Sequence, residues 1–314
     1  MLRHLLVGIA VVTSVSLTQA ATLSPIIEAS DLNALVQQQA VKIVDIRGDV
    51  KAFAQAHITG SVQIPYGKFR GPAENPGKLP ELTQLAAIFG AAGLDLSDSV
   101  VVAHEGKNSS DFGAAARVYW TLKSVGFENL AVLNGGVKAY QSAGFAMASG
   151  VPQVLATSPT LVFNNQWYAS TADVQAETQN SGTRLLDARP ADFFNGKAWH
   201  GAASKPGALP GADNFAFDAF FAPKSPLLKA QGEVVEIVKA NGLDTANTIS
   251  YCNTGHWAAT NWFVLSEVAQ VPDVKLYAES IVAWSNTDSR MDNVPSAIQF
   301  AVLKTKKWFN ELAN

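Results

Sequence analysis

The sequence predicts an α/β protein of two domains, each a parallel β-sheet flanked by helices on both faces. Three observations carry that prediction. The chain has 314 residues, enough for two cores of ordinary size. Short apolar, β-prone runs alternate with helical stretches, the pattern of parallel strands joined by crossover helices. The same series of segments also occurs twice, in the same order.

The first pair of segments is Val41-Lys42-Ile43-Val44-Asp45-Ile46-Arg47 and Thr183-Arg184-Leu185-Leu186-Asp187-Ala188-Arg189. Each is an apolar run ending in Asp-x-Arg, as a buried strand entering a loop would be. The stretch His57-Ile58-Thr59-Gly60-Ser61-Val62 corresponds to Ala208-Leu209-Pro210-Gly211-Ala212-Asp213, and Gly93-Leu94-Asp95 to Gly242-Leu243-Asp244. Strands follow at Ser99 to Ala103 and Thr248 to Tyr251. Each enters a short loop and then an Ala- and Trp-rich helix, near Ala114 to Val125 and Ala258 to Val268. A last strand in each half, Asn129 to Leu133 or Val274 to Tyr277, leads through a turn to a short helix. The predicted division is a signal peptide over residues 1–20, domains at 24–148 and 161–291, a linker at 149–160 and a C-terminal helical extension at 292–314.

Composition narrows the function classes. Hydrophobic residues make up 48% and charged residues 16%, with a net charge of −3. No clustered basic face argues for nucleic acid. The one compact basic run, Lys304-Thr305-Lys306-Lys307, reads as a solvated helix face. At the N-terminus, basic Met1-Leu2-Arg3-His4 precedes an apolar run from Leu5 to Leu17, and Thr18-Gln19-Ala20 supplies small residues before Ala21. That run is short for a bilayer span, so a cleaved secretory signal is expected, with a soluble periplasmic or secreted product and no membrane insertion. A single cysteine, Cys252, excludes an intramolecular disulfide.

Tyr251-Cys252-Asn253-Thr254-Gly255-His256-Trp257 is the most informative segment. Cys252 lies between a buried strand and a helix, at the carboxyl edge of a parallel sheet where ligands bind. A tight loop there turns backbone N–H groups inward as an anion-binding cup, and the helix start adds partial positive charge. Both favour thiolate over thiol and make Cys252 a candidate nucleophile. The bland alternative is a small buried hydrophobe. A cysteine phosphatase would need an Arg six residues after the nucleophile, where this chain has Ala258.

Taken together, the doubled Asp-x-Arg, the His-Ile-x-Gly segment, the Leu-x-Gly-Gly turn and the Cys-x-x-Gly loop resemble the tandem-domain rhodanese family, from about Ser24 to Met291. The resemblance implies two rhodanese-like domains with the active cysteine in the second. It also implies sulfane-sulfur transfer through a Cys252 persulfide, with no cofactor and no metal. The donor stays open between thiosulfate, a polysulfide or thionate, and a mercapto acid. Family members favouring thiosulfate carry cationic loop residues, and those favouring mercaptopyruvate carry small polar ones. Asn253 and Thr254 look closer to the second pattern, while His256 and Trp257 match neither. The acceptor would be a thiol or a cyanide-like nucleophile, or a partner sulfur-acceptor protein if the chain is a non-catalytic persulfide carrier.

Six further residues carry open expectations. His256 is a partial cation, a proton donor or a solvent-facing loop residue. Trp257 is a pocket wall or core packing. Arg189 matches a family arginine that faces the active loop and helps hold the donor, or else it is an ion partner of Asp187. Lys205 and His200 are weaker candidates for the missing charge. In the first domain Glu105, within His104-Glu105-Gly106-Lys107, is taken as the counterpart of Cys252, so that half is expected to be catalytically silent.

Overall fold

A computed structural model describes residues 22–179 and 182–312. The expected signal peptide lies outside them. The first half contributes strands β1 (Ile26–Ile27), β2 (Lys42–Asp45), β3 (His57–Ile58), β4 (Ser61–Gln63), β5 (Val100–Ala103), β6 (Leu130–Leu133) and β7 (Met147–Ala148). The second contributes β8 (Arg184–Asp187), β9 (Asp213–Asn214), β10 (Thr248–Tyr251) and β11 (Val274–Leu276). One sheet runs β1-β6-β5-β2-β4 and the other β11-β10-β8-β9, and every neighbouring pair in both is parallel. β3 and β7 form a small antiparallel pair beside the first sheet.

Both faces of each sheet are covered, and strand alternation decides which side chain meets which layer. Ile43, Val101 and Leu133 pack with Leu32 and Tyr140, from helices Ala29–Gln37 and Gly136–Ser142. Val44, Val100 and Val132 face the other way, onto Phe89 of helix Leu82–Ala91 and Trp120 of helix Ser109–Ser124. In the second domain Leu185 and Ile249 meet Val174 and Trp284, while Leu186 and Leu276 meet Val238 and Trp262.

The cores of the two domains are continuous. Helix Ser109–Ser124 lies against helix Trp257–Phe263, which continues as a wide turn over Val264–Val268. Phe263 receives the edges of Phe112 and Tyr119 at centroid distances of 5.7 and 4.9 Å. The Tyr119 hydroxyl and Lys123 ammonium both donate to Glu267, at 2.8 and 2.7 Å. This interface sets the site, because the helix after the Cys252 loop is buried against the other domain.

Residues 149–164 contain no regular element, and Thr157 ties them to the first domain by donating its amide to Gly90 O at 3.0 Å. The C-terminal helix Ala297–Leu312 touches the body through Phe300 on Trp199, at 5.2 Å between centroids. Lys304 and Lys306 of the basic run are exposed on it. Among the described residues, no helix is long and apolar enough to cross a membrane.

Candidate active site

Strand β10 lies between β11 and β8, and Cys252 is the first residue beyond its carboxyl end. Cys252 is 1% exposed. Its amide donates to Ser280 Oγ at 3.0 Å, and that hydroxyl donates to Tyr277 O at 2.6 Å. Its carbonyl accepts from Ile281 N at 3.1 Å, and Asn253 O accepts from Val282 N at 3.0 Å. The base of the loop is thus pinned to the turn after β11. Among the described residues, the amides of Asn253 to Trp257 find no acceptor in the protein. Five consecutive buried or half-buried donors without protein partners are costly unless water or a ligand takes them.

Gly255 makes the turn possible. Its φ is +68°, and a Cβ there would run into Ala278 O and lie 2.5 Å from Nη1 of Arg117. Only a glycine lets the loop approach both the β11 turn and the first domain so closely.

The first domain shows what such a cup holds. The amide of Ile46 donates to Ala103 O as that of Ala188 does to Tyr251 O, and Val137 donates to His104 O as Ile281 does to Cys252 O. Cys252 is therefore matched by His104, and the expected match with Glu105 is one residue out of register; Glu105 corresponds to Asn253. Asp111 Oδ2 accepts from the amides of Gly106 and Lys107 at 2.6 and 3.1 Å, and contacts His104 Nδ1 at 3.2 Å. Gly106 and Lys107 are the counterparts of Thr254 and Gly255, and Asp111 is the counterpart of Ala259. An internal carboxylate fills the cup in one domain, and alanine leaves it open in the other.

Although burial opposes ionisation, hydrogen bonds to His104 and to the Lys107 and Gly106 amides bring Asp111 down to about 2 from 3.8. A depressed carboxyl adds stability that is complete above pH about 4 and drains as pH falls toward 2. The contribution is at most about 2 kcal/mol, reduced by partial exposure. Denaturant unfolding should show this acid-linked loss in the native chain, and Asp111→Asn should lack it. Glu105 pairs with Lys107 at 2.5 Å and Lys138 at 3.8 Å, at the surface. Glu105→Gln should change turnover by less than tenfold, or about 1.4 kcal/mol in barrier; steady-state kinetics checks this.

A cavity of about 260 Å³ opens beside the thiol, lined by Arg70, Ser110, His200, Cys252, Asn253, Thr254, His256 and Trp257. Lys205 is not among its walls. Trp257 stacks on Phe217 at 5.1 Å with rings 5° apart, and Phe193 meets it edge-on at 5.7 Å. It is both pocket wall and packed aromatic.

The structure corrects the two charged roles considered for His256 and Arg189. Tyr66 Oη lies 2.9 Å from His256 Nδ1 and Ser110 Oγ 3.0 Å from Nε2, so both ring nitrogens meet hydroxyls of the first domain. Ser110 Oγ also accepts from Trp257 Nε1 at 2.9 Å. Burial, with the nearby charges of Arg70 and Arg117, lowers His256 to about 4, so it is neutral at physiological pH. It links the domains and neither steers as a cation nor points to solvent. Arg189 is 0% exposed. Its Nε and Nη2 grip Asp187, Nη2 also donates to Gly207 O at 2.8 Å, and Nη1 reaches Asn253 Oδ1 at 3.3 Å. It braces the loop from behind and is closed to a donor.

Sequence reasoning missed Tyr66, Arg70, Ser110 and Arg117, all from the first domain. The buried Arg117 guanidinium touches the loop at Gly255, donates to Gly77 O at 2.9 Å and lies 4.9 Å from the Trp120 ring. No local pattern marks these residues, because they act across an interface.

Comparison with known proteins agrees with this architecture. The model of the rhodanese-like domain matches residues 28–143 and again 170–287. The chain is 28% identical to a putative thiosulfate sulfurtransferase of Synechococcus elongatus over 82% of each chain. It is 27% identical to a thiosulfate sulfurtransferase of Pseudomonas aeruginosa over 83% of this chain and 94% of that one. In fold it is similar to the 3-mercaptopyruvate sulfotransferase SseA of Escherichia coli, with a TM-score of 0.71 at 22% identity over 82% of this chain and 99% of that one. It is also similar in fold to an anaerobic ergothioneine biosynthesis enzyme from Chlorobium limicola, with a TM-score of 0.75 at 17% identity over 86% and 71%.

Proposed function

This chain belongs to the rhodanese family, carrying its domain twice, and from that membership we propose that it is a sulfurtransferase working through a persulfide on Cys252. One observation carries the reading: the buried thiol heads a loop of unpaired amides whose counterpart in the other domain is filled by the Asp111 carboxylate. A cup that binds a carboxylate oxygen in one domain is suited to an anionic sulfur in the other.

The Cys252 thiolate attacks the outer sulfur of the donor. The bond between that sulfur and the remainder breaks, and the remainder leaves with the electron pair. With thiosulfate the leaving group is sulfite, and the enzyme keeps one sulfur as an anionic persulfide. A thiol or cyanide then takes this outer sulfur and returns the thiolate. The amides from Asn253 to Trp257 stabilise the terminal sulfur in both steps, and Arg189 holds Asn253 in place. The first domain, with His104 at the cysteine position and its cup filled, carries no sulfur itself. The N-terminal segment is proposed to direct export to the periplasm or beyond.

Steady-state transfer from thiosulfate to cyanide tests the proposal. Repeated turnovers per thiol support an enzyme. A single stoichiometric loading, discharged only to a protein acceptor, would favour the carrier reading.

A further inference from the structure

Resting on the sulfur-transfer reading of the Cys252 site, we propose that the otherwise silent first domain supplies the cavity's positive charge: Arg70 receives the anionic end of the donor, and Arg117 acts through the Gly255 turn on the thiolate. The catalytic loop has no Lys or Arg of its own, His256 is neutral, and Arg189 is spent on Asp187. Arg70 lines the cavity together with Cys252. Its guanidinium lies 5.3 Å from the Tyr66 ring, and its Nη1 is buried without a hydrogen-bond partner. Arg117 has two such atoms, Nε and Nη1, with Nη1 held against Gly255. Burial and the like charge of Arg70 lower Arg117 to about 9, which leaves it cationic at neutral pH.

Three orphaned guanidinium nitrogens, two cations close enough to repel, and an amide cup without an acceptor are each unfavourable alone. An anion in the cavity would accept from Arg70 and from the cup amides directly, and its charge would offset the repulsion between Arg70 and the sealed Arg117. The donor class that fits has charge beyond the transferable sulfur, as a thiosulfate or thionate does. A planar guanidinium matches such an oxyanion by paired N–H donation. Arg117 is sealed from the cavity and is a positioning residue, not a substrate contact.

Alkylation of Cys252 by neutral iodoacetamide and anionic iodoacetate, at fixed neutral pH, reads the two roles without any sulfur chemistry. Relative to free cysteine, the native chain should favour iodoacetate. Arg70→Gln should lower the iodoacetate-to-iodoacetamide ratio about tenfold, the effect of one neighbouring charge at a partly buried site. It should also raise half-saturating thiosulfate for persulfide formation by a similar factor. Arg117→Gln should slow both reagents equally, with Arg117→Lys restoring most of the rate; circular dichroism confirms folding. If Arg117→Gln fails to fold, Arg70→Gln at its half-exposed position still decides. An unchanged ratio in Arg70→Gln overturns the inference even if Cys252 takes up sulfur. Charge discrimination lost in Arg70→Gln, in a chain that accepts sulfur from no donor, sustains the anion site and sinks the sulfur-transfer reading instead.

Discussion

Replacing Cys252 with serine is expected to abolish sulfur transfer while leaving the fold unchanged. The hydroxyl is nearly isosteric, and the buried position heads a loop whose hydrogen bonds run through backbone atoms, so circular dichroism and the melting temperature should barely move. An alkoxide at neutral pH is too scarce to attack a sulfane sulfur, and a serine cannot carry a persulfide. The chain has no second thiol to take over. Transfer should fall to the uncatalysed background. Residual turnover above a few per cent would place the chemistry elsewhere.

A comparably large loss is expected from Ala259→Asp, which keeps the thiol and blocks its cup. Ala259 is fully buried at the place where Asp111 stands in the first domain. There the carboxylate is satisfied by the two loop amides, so an aspartate at 259 should find Thr254 and Gly255 in the same way. It would withdraw two donors from the transferring sulfur and set a negative charge beside the thiolate. Losing one preorganised donor typically costs about a hundredfold in rate, so a loss of at least that size is expected. Fluorescence or calorimetric melting should show the variant folded, with neutral iodoacetamide reacting far more slowly at Cys252. Transfer within tenfold of native in a folded Ala259→Asp chain would mean the amides do not stabilise the reacting sulfur.

Much of this was readable before the structure. The doubled segments and their strand-helix alternation give two parallel sheets, because period and order survive in local sequence. Cys252 and Gly255 stand out because a strand, a tight turn and a helix leave a local signature. The register of the silent loop was misread by one. Ala103-His104-Glu105 and Tyr251-Cys252-Asn253 share no residue that fixes their alignment. The pairing of Ala103 with Asp45, like that of Tyr251 with Asp187, shows that β5 ends before His104. Asp111 reads as an ordinary first-turn acid of a helix capped by Asn108. Its seat in the cup follows from loop curvature that composition does not encode.

The charges were the larger omission. A sequence reading searches the neighbourhood of the nucleophile, and there it finds His256, Arg189, Lys205 and His200, of which His200 does line the cavity. The hydroxyls of Tyr66 and Ser110 spend His256, Asp187 spends Arg189, and Lys205 does not reach the cavity. Arg70 and Arg117 lie more than a hundred positions upstream, and only the packing of helix Ser109–Ser124 on helix Trp257–Phe263 brings Arg117 to the loop.

In the proposed reaction Cys252 carries the sulfur. The most direct test is the mass of the Cys252 peptide from native protein incubated with thiosulfate, then split into samples with and without cyanide. One added sulfur is expected on that peptide, removed by cyanide and never seen in Cys252→Ser. A chain that turns over thiosulfate while that peptide keeps its unmodified mass would contradict that reaction.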